Sequence, residues 1–329
     1  MYQPEVYGVV LAFMLASMLC WGSWANTLKL CPGYRFQLFY WDYVIGLFVG
    51  ACLWGFTLGT LGSSGRTFLA DIGSISLRNA LLAIAGGAVF NVANLLLVAA
   101  IDIAGLAVAF PIGIGLALVI GAASNYVISP KGNPALLFGG IALVVAAIVV
   151  DALAFKKREE TKTKTSGRGI AISLIAGVLM GGFYPFVSAA MTGPAPVGPY
   201  AAVLFFAIGV ALCAVPFNLA LMRKPLDGSA PTTIGEYFRT AGRPHLWGVL
   251  GGAIWCTGAL TNFVASQAHL VGPAVSYSIG QGATMVSAAW GVFVWREFAG
   301  APSGARTLVR WMFVLFLAGL TCVALAPLY

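Results

Sequence analysis

The segment GLAVAFPIGIG at residues 105–115 recurs as GPAVSYSIGQG at residues 272–282, and both copies fit the pattern G-x-A-V-x-x-x-I-G-x-G. A second pair precedes the first, since GGAVFNVAN at 86–94 corresponds to GGAIWCTGA at 251–259. Apolar, glycine-rich segments can match by chance. The two motifs nevertheless occur in the same order in both halves of the chain, which favours an internal duplication.

The composition indicates a protein that uses lipid as its solvent. Hydrophobic residues make up 60% of the 329 residues and charged residues 9%, far below the roughly one quarter that is usual in soluble domains. Apolar stretches of about 20 residues, enough for a helix to cross the hydrocarbon core, recur along the chain. We predict ten spans, at 7–27, 37–58, 79–101, 103–127, 135–155, 169–191, 198–222, 245–268, 270–294 and 306–327. A membrane barrel would instead show alternating apolar and polar residues.

One charged segment, KKREETKTKTSGR at 156–168, divides the ten spans five and five. We therefore predict a first five-helix repeat at 1–155, a cytoplasmic linker at 156–168 and a second five-helix repeat at 169–329. Because five is odd, the second half must enter the membrane in the opposite orientation. The predicted fold is all-α and integral to the membrane, with ten transmembrane helices in two inverted five-helix repeats. Such repeats are typical of alternating-access transporters.

The net charge of +8 could indicate a nucleic-acid partner, but the placement of the basic residues argues against one. With loops that alternate between the two sides, fifteen of the 18 basic residues fall on one side, and only Arg66, Arg78 and Lys131 fall on the other. This asymmetry follows the positive-inside rule. We predict a multi-pass protein of the inner (plasma) membrane with both termini outside. The predicted partner is the lipid bilayer and not nucleic acid.

Several stretches carry a resemblance to a known family. They are CWGSWANTLKL at 20–30, FYWDYVIGLFVGACLWGFTLG at 39–59, the segment from GGAVFNVAN to NYVI at 86–128, and the segment from GGAIWCTGA to WREF at 251–298. Together with ten spans in two inverted halves, they resemble the drug/metabolite transporter superfamily. Within it, the chain is similar to the ureide permeases and their relatives in the glucose/ribose porter group.

The resemblance implies uptake of small polar solutes, such as allantoin and oxo-purine or pyrimidine bases, driven by protons. Plant ureide permeases carry a nucleotide-binding-like motif in a long central loop. Here the central loop is short and no G-x-x-x-x-G-K-[ST] motif occurs, so we predict no cofactor and no role for ATP.

Asp42 is an unusual acid, because FQLFYWDYV at 36–44 surrounds it with aromatic residues. In one interpretation the aromatic rings form an interfacial belt and Asp42 reaches toward water from the first turn of a helix. In the other, Asp42 faces a cavity and binds the proton that is coupled to the substrate. The sequence leaves both open, and Asp42 is the candidate proton-coupling residue.

Amides and aromatic rings inside the spans are the candidate substrate-binding groups. An unpaired amide facing lipid is costly, so these side chains should face protein or an aqueous cavity. Interhelical hydrogen bonding, core packing or anchoring at the membrane interface is the alternative explanation for them. The candidates are Trp21, Trp24, Asn26, Asn91, Asn94, Tyr184, Trp255, Asn262, Tyr277 and Gln281.

Histidine and cysteine give no sign of catalysis or of a metal site. His245 and His269 lie at span ends, where we interpret them as interfacial. No nucleophile–base–acid spacing and no metal-ligand cluster appears in the sequence. We predict that the protein is not an enzyme.

The functional prediction is a secondary active transporter that imports a ureide or nucleobase, such as allantoin or uracil, coupled to protons. A glucose- or ribose-type sugar uptake transporter is one alternative, and a metabolite or drug exporter of the same fold is another. A scaffolding or receptor-like membrane protein would have no need for duplicated, inverted halves. The sequence is compatible with a monomer or a homodimer.

Overall fold

The computed structural model describes residues 1–158, 167–192, 195–226 and 228–329, and these ranges are mostly helical without a β-strand. The predicted all-α class is confirmed. Residues 159–166 of the predicted linker lie outside the described residues. The principal helices are α1 (Tyr7–Ser23), α2 (Phe36–Phe56), α3 (Leu77–Ala104), α4 (Leu116–Ile128), α5 (Pro134–Arg158), α6 (Gly167–Thr192), α7 (Pro199–Arg223), α8 (Gly242–Ser266), α9 (Gly272–Gly280) and α10 (Ser303–Leu325). Short helices at Asn26–Lys29, Leu58–Leu61, Phe68–Ser74 and Ile234–Arg239 lie in the connections.

Within the described ranges, nine helical segments are long and apolar enough to cross a membrane. They correspond to nine of the ten predicted spans. The remaining span, predicted at 270–294, is not a continuous helix. It consists of α9, a turn at Gln281 and Gly282, the helix Ala283–Ala289 and the π-helical turn Trp290–Val294. Glycine is a poor helix former, and the two glycines that flank Gln281 favour this interruption.

Large apolar side chains cover much of the outer surface. Leu53, Leu212 and Phe293 are 57%, 64% and 69% exposed. A soluble monomer rarely exposes extended apolar surface of this kind, whereas lipid tails cover it. The protein is therefore a multi-pass membrane protein.

The first glycine of each G-x-A-V motif has the same structural task. Gly105 ends α3 with φ +79°, and Gly272 begins α9 with φ +72°. Residues with a Cβ rarely adopt positive φ, so glycine is the residue that fits at both turns. The sequence repeat is thus matched by a repeated backbone conformation.

Helix packing follows the same pairing of the two halves. Helix α3 packs along α6 and α7, and α8 packs along α1 and α2. Helix α4 contacts α6 and α9, whereas α9 contacts α1 and α4. Helices α5 and α10 pack against each other. Exchanging each helix of the first half with its counterpart in the second reproduces this set of contacts, which is the pattern that two related halves would produce.

Reciprocal glycine contacts bring the paired helices close together at two of these interfaces. A Cβ on Gly46 of α2 would overlap the carbonyl of Val249 in α8, and one on Gly252 would overlap the carbonyl of Tyr43. Between α7 and α3, Gly209 lies against the carbonyl of Ile84 in the same way.

Gly87 of α3 lies against the carbonyl of Phe206 in α7, as Gly252 of α8 lies against the carbonyl of Tyr43 in α2. Gly87 and Gly252 occupy the same place in the repeated GGA motif. Small residues at such positions let membrane helices approach each other to backbone contact.

Candidate functional site

A cavity of 330 Å³ lies between the two halves. Side chains from α1, α3, α6 and α8 line it, together with the interrupted segment after α9. Its residues include Trp21, Trp24, Leu28, Phe36, Phe90, Asn94, Asp102, Phe110, Ile114, Met180, Phe183, Trp255, Gln281, Thr284 and Ser287. The volume is in the range of small-molecule sites, which are mostly apolar with a few polar groups.

Flat aromatic surfaces dominate the wall of the cavity. The rings of Trp21 and Trp255 are stacked, with centroids 5.8 Å apart and planes inclined by 24°. Phe90 lies against Trp255 at 4.3 Å, and Trp24 lies against Tyr43 at 4.8 Å. Such surfaces suit a planar heterocycle or the apolar face of a sugar.

Two nitrogen donors of the lining residues have no hydrogen-bond partner in the part of the chain that the structure describes. They are Nε1 of Trp21 and Nδ2 of Asn94, and both atoms are covered by neighbouring atoms. The Tyr40 hydroxyl, a neighbour of Asn94, donates to Asn91 Oδ1 at 2.9 Å. Buried polar groups are normally paired, so unpaired donors beside a cavity are consistent with a ligand that supplies acceptors.

The two ends of the cavity differ. At one end, the exposed residues Ala25 and Asp102 bring the lining to the surface. Toward the other end, fully buried rings fill the space between the helices. Tyr277 donates to the carbonyl of Ala117 at 3.2 Å, which connects α9 to α4. The described conformation is therefore open at one end and closed at the other.

Half of the predicted substrate-binding residues line the cavity, namely Trp21, Trp24, Asn94, Trp255 and Gln281. Asn26 lies outside the cavity lining, and its Oδ1 accepts a hydrogen bond from Trp295 Nε1 at 2.6 Å. Asn91 is fully buried and accepts from Tyr40. Neither Asn26 nor Asn91 is among the lining residues.

The other predicted residues form interhelical hydrogen bonds. Tyr184 donates to Asn262 Oδ1 at 2.6 Å, and Asn262 Nδ2 donates to Ser17 Oγ at 3.1 Å and to the carbonyl of Ser276 at 2.8 Å. Asn262 thereby connects α6, α1 and α9. Tyr184, Asn262 and Tyr277 pack behind the cavity and do not line it.

Sequence reasoning missed Phe90 and Asp102. Phe90 occupies the position in GGAVFNVAN that Trp255 occupies in GGAIWCTGA, so the repeat itself contained the signal. The predicted spans at 79–101 and 103–127 leave Asp102 between them. It lies instead in the last turn of α3, because that helix continues to Ala104, and it lines the mouth of the cavity.

Asp42 lies outside the cavity, in a polar cluster at the start of α2. Its side chain is 2% exposed. Tyr34 donates to Oδ2 and Tyr237 to Oδ1, each at 2.7 Å. His245 Nδ1 lies 2.9 Å from Oδ1 and 3.0 Å from Oδ2. The prediction that His245 is an interfacial residue therefore missed its contact with the buried acid. We call Asp42, Tyr34, Tyr237 and His245 together the Asp42 cluster.

Both tyrosines of the Asp42 cluster are held in their protonated form. Burial, followed by the hydrogen bond to Asp42, raises the pKa of Tyr34 above its ordinary value. The same two causes raise the pKa of Tyr237. The phenols therefore stay hydrogen-bond donors across the physiological range.

A family profile described as "Sugar transport protein" matches residues 44–326. The chain belongs to this family. Two curated relatives from Arabidopsis thaliana align along almost their whole length. Ureide permease 1 is 24% identical, covering 96% of each chain, and Ureide permease 4 is 25% identical, covering 97% of each.

A solved crystal structure has the same overall fold. It superposes with a TM-score of 0.64 at 15% sequence identity, over 96% of each chain. At that identity the likeness concerns the fold alone. The family profile and the permease relatives identify a membrane transporter, and the ureide permease-like resemblance is confirmed.

Proposed function

We propose that this transporter imports a small, neutral, polar solute of the ureide or nucleobase class by alternating access. The observation that carries the proposal is the cavity between the two halves, where stacked indoles adjoin amides. Rings from Trp21, Phe90 and Trp255 offer stacking surfaces, and Asn94 and Gln281 offer hydrogen-bonding groups. Allantoin and uracil are compact, with several carbonyl acceptors, and uracil is planar.

The charge of the lining supports a neutral solute. None of the described lining residues is Lys, Arg or His, and Asp102 is the acidic one, located at the mouth. A buried anion without a positive partner would lose hydration without compensation. A neutral lactam needs only hydrogen bonds, which the amides of Asn94 and Gln281 can supply.

Gln281 is well placed for this role. It is 8% exposed and lies in the turn that interrupts the helical path between α9 and Ala283–Ala289. Its side chain makes no hydrogen bond with another residue in the described ranges. Interrupted helices at the substrate site are common in transporters, because they release polar groups at mid-membrane.

The direction and coupling of transport form the second part of the proposal. With the predicted topology, the open end of the cavity faces the cytoplasm, both termini lie outside in the plasma membrane, and the two five-helix repeats are inverted. Protons drive accumulation, with Asp42 as the ionisable residue of the coupling site. A buried carboxylate at the α2–α8 interface, which joins the two halves, supports this role.

Sugar uptake is a second candidate, favoured by the description of the matching family. A pyranose could stack on the Trp255 ring and bind Asn94 through its hydroxyl groups. Purified protein in proteoliposomes, offered allantoin, uracil and glucose in turn with an inward proton gradient, tests both candidates. Accumulation of allantoin or uracil supports the first, and accumulation of glucose alone replaces it with the second.

Binding can be measured independently of transport. Because Trp21, Trp24 and Trp255 line the cavity, a bound heterocycle should change tryptophan fluorescence, and a ligand of the folded state should raise its apparent stability. If none of the three compounds binds or is taken up, the proposed solute classes are wrong.

A further inference from the structure

We propose that His245, held in place by Asp42, carries the coupling proton, and that it acts through the α2–α8 interface without touching the solute. The inference rests on the proposed proton-coupled transport. It adds the residue that carries the proton, the tautomer of that residue, and the helix that connects it to the cavity. It also changes the role of Asp42 from proton carrier to positioning residue.

The tautomer of His245 follows from its neighbours. Nδ1 lies 2.9 and 3.0 Å from the two carboxylate oxygens of Asp42. With Asp42 ionised, its oxygens only accept, so Nδ1 carries the hydrogen that lies between them. The Tyr34 hydroxyl, 3.3 Å from Nδ1, donates to Asp42 Oδ2. The lone pair of the neutral ring is then on Nε2, which is the atom that takes up a proton. Asp42 would stabilise the resulting imidazolium by direct ion pairing.

Access to water also differs between His245 and Asp42. The side chain of His245 is 24% exposed, whereas that of Asp42 is 2% exposed. Asp42 already accepts hydrogen bonds from Tyr34 on Oδ2 and from Tyr237 on Oδ1, so both of its oxygens have a donor besides His245. Histidine is the side chain that ordinarily changes charge near neutral pH. The partly exposed imidazole of His245 is therefore the group that exchanges the proton with water.

The other ionisable groups around the ring are accounted for. From the segment before α2, the Cys31 thiol contacts the carbonyl of Pro244 at 3.9 Å, and Arg35 donates to Ser229 at 2.6 Å. Glu236 and Thr233 form a capping box at the N-terminus of the short helix Ile234–Arg239.

Arg239 on that short helix and Arg243 in the first turn of α8 are exposed. None of these groups has a hydrogen bond or ion pair with His245 in the described ranges. The charged group in direct contact with the imidazole is therefore Asp42, whereas the charge of Arg243 acts on this region from the exposed first turn of α8.

The corresponding interface of the other half has no such pair. Asp42 lies four residues before Gly46, and the residue four before Gly209 is Phe205. His245 lies seven residues before Gly252, and the residue seven before Gly87 is Ala80. The pair of a buried acid and an imidazole is therefore specific to the α2–α8 interface, so protonation of His245 acts on one of the two glycine-packed interfaces.

The route to the cavity runs along α8. Trp255 lies ten residues after His245, about 15 Å along a helix. Asp42 and His245 belong to different halves, and the glycine contacts at Gly46 and Gly252 transmit any shift between them. Loading Nε2 adds an ion pair across this interface at the open end, and releasing the proton leaves a hydrogen bond from the neutral imidazole to the Asp42 carboxylate. Rocking of the two halves is then coupled to the charge of His245.

His245→Asn is the decisive substitution, because the Asn amide can keep a donor near Nδ1 but cannot titrate. The matched control is His269→Asn, since these are the two histidines of the chain and His269 is exposed far from the cluster. Proteoliposomes would be tested for exchange of labelled uracil and for accumulation driven by one pH unit, which supports at most about tenfold accumulation for one proton per solute.

The expected result is that His245→Asn exchanges uracil like the wild type but accumulates none, while His269→Asn accumulates normally. Accumulation by His245→Asn at the wild-type level overturns the inference and leaves proton-coupled import standing. A wild-type protein that exchanges uracil but never accumulates it refutes proton coupling itself. If uracil is not a substrate, the solute identified by the uptake and binding screen takes its place.

A second measurement covers the case in which His245→Asn fails to fold. In His269→Asn protein with ¹³C-labelled histidine, the remaining imidazole signal belongs to His245. We expect this signal to change with pH and to shift when solute is added. A signal that responds to neither overturns the inference.

Discussion

The interface between α2 and α8 and the interface between α3 and α7 are built on the same plan but carry different polar groups. In each, two glycines allow the helices to touch through carbonyl groups. Only the α2–α8 interface has the buried Asp42 with its three donors. The common part explains how two halves of one chain pack alike. The part that differs is where a proton-dependent function can be located.

The glycine contacts should give the largest effect. A methyl group at Gly87 or Gly252 would overlap a main-chain carbonyl, which cannot rotate away as a side chain can. We expect Gly87→Ala and Gly252→Ala each to lower the free energy of unfolding by about 3 kcal/mol. Thermal unfolding in detergent measures this.

The matched control is Gly139→Ala, because Gly139 has no heavy atom near its ideal Cβ position. Similar losses of stability at Gly87 and Gly252 would support the equivalence of the two interfaces. A loss at one of the two glycines alone would contradict it.

The next largest effect should come from Asn262. Asn262→Ala removes the acceptor of Tyr184 and the donor to Ser276, and leaving buried polar groups unpaired costs about 2 kcal/mol. We expect a lower melting temperature but unchanged solute affinity in the folded fraction, measured by tryptophan fluorescence. A large loss of affinity without a loss of stability would show instead that Asn262 binds solute.

Asn94 should behave in the opposite way. Its Nδ2 has no partner in the described ranges, so Asn94→Ala should change the melting temperature little. Losing one hydrogen bond to the solute should weaken binding about fivefold. The Asn262→Ala protein is the matched control, and equal affinity of Asn94→Ala and wild type would contradict the assignment of Asn94 to the solute.

Tyr237 should give the smallest effect and a specific pH dependence. Tyr237→Phe removes one hydrogen bond to Asp42, at a cost of about 1 kcal/mol. Because the pKa of Tyr237 is raised in the folded protein, its contribution is complete below the ordinary value near 10 and is lost only above it.

The decrease in melting temperature caused by Tyr237→Phe should therefore be the same at pH 7 and pH 9. A decrease that disappears by pH 9 would mean that the phenol ionises early and that the Asp42 cluster is more solvated than its geometry indicates. Tyr329→Phe, at the exposed C-terminal residue, is the control.

The sequence predicted the helical class and most of the spans, because a bilayer accepts few ways of pairing the backbone. It did not predict the interruption at Gln281, since apolar side chains continue on both sides of the glycines. Phe90 and Trp255 occupy equivalent positions of the repeat, yet only Trp255 was predicted to bind substrate, because a phenylalanine in an apolar span has no polar group that requires a partner.

The polar candidates show why the site could be predicted only in part. Asn94 and Asn262 both lie in apolar helices, and both were predicted to bind substrate. One lines the cavity and the other connects three helices. Likewise, Asp42 and His245 are 203 residues apart in sequence, so no local pattern could join them.

Composition and internal similarity are enough to place the chain in a membrane and to recognise its duplicated motif. Both are properties of local stretches of sequence. Helix packing decides which amide faces the cavity, which histidine contacts the buried acid, and which end of the cavity is open. Each buried polar group requires a partner, but the choice among distant partners depends on how ten helical segments pack.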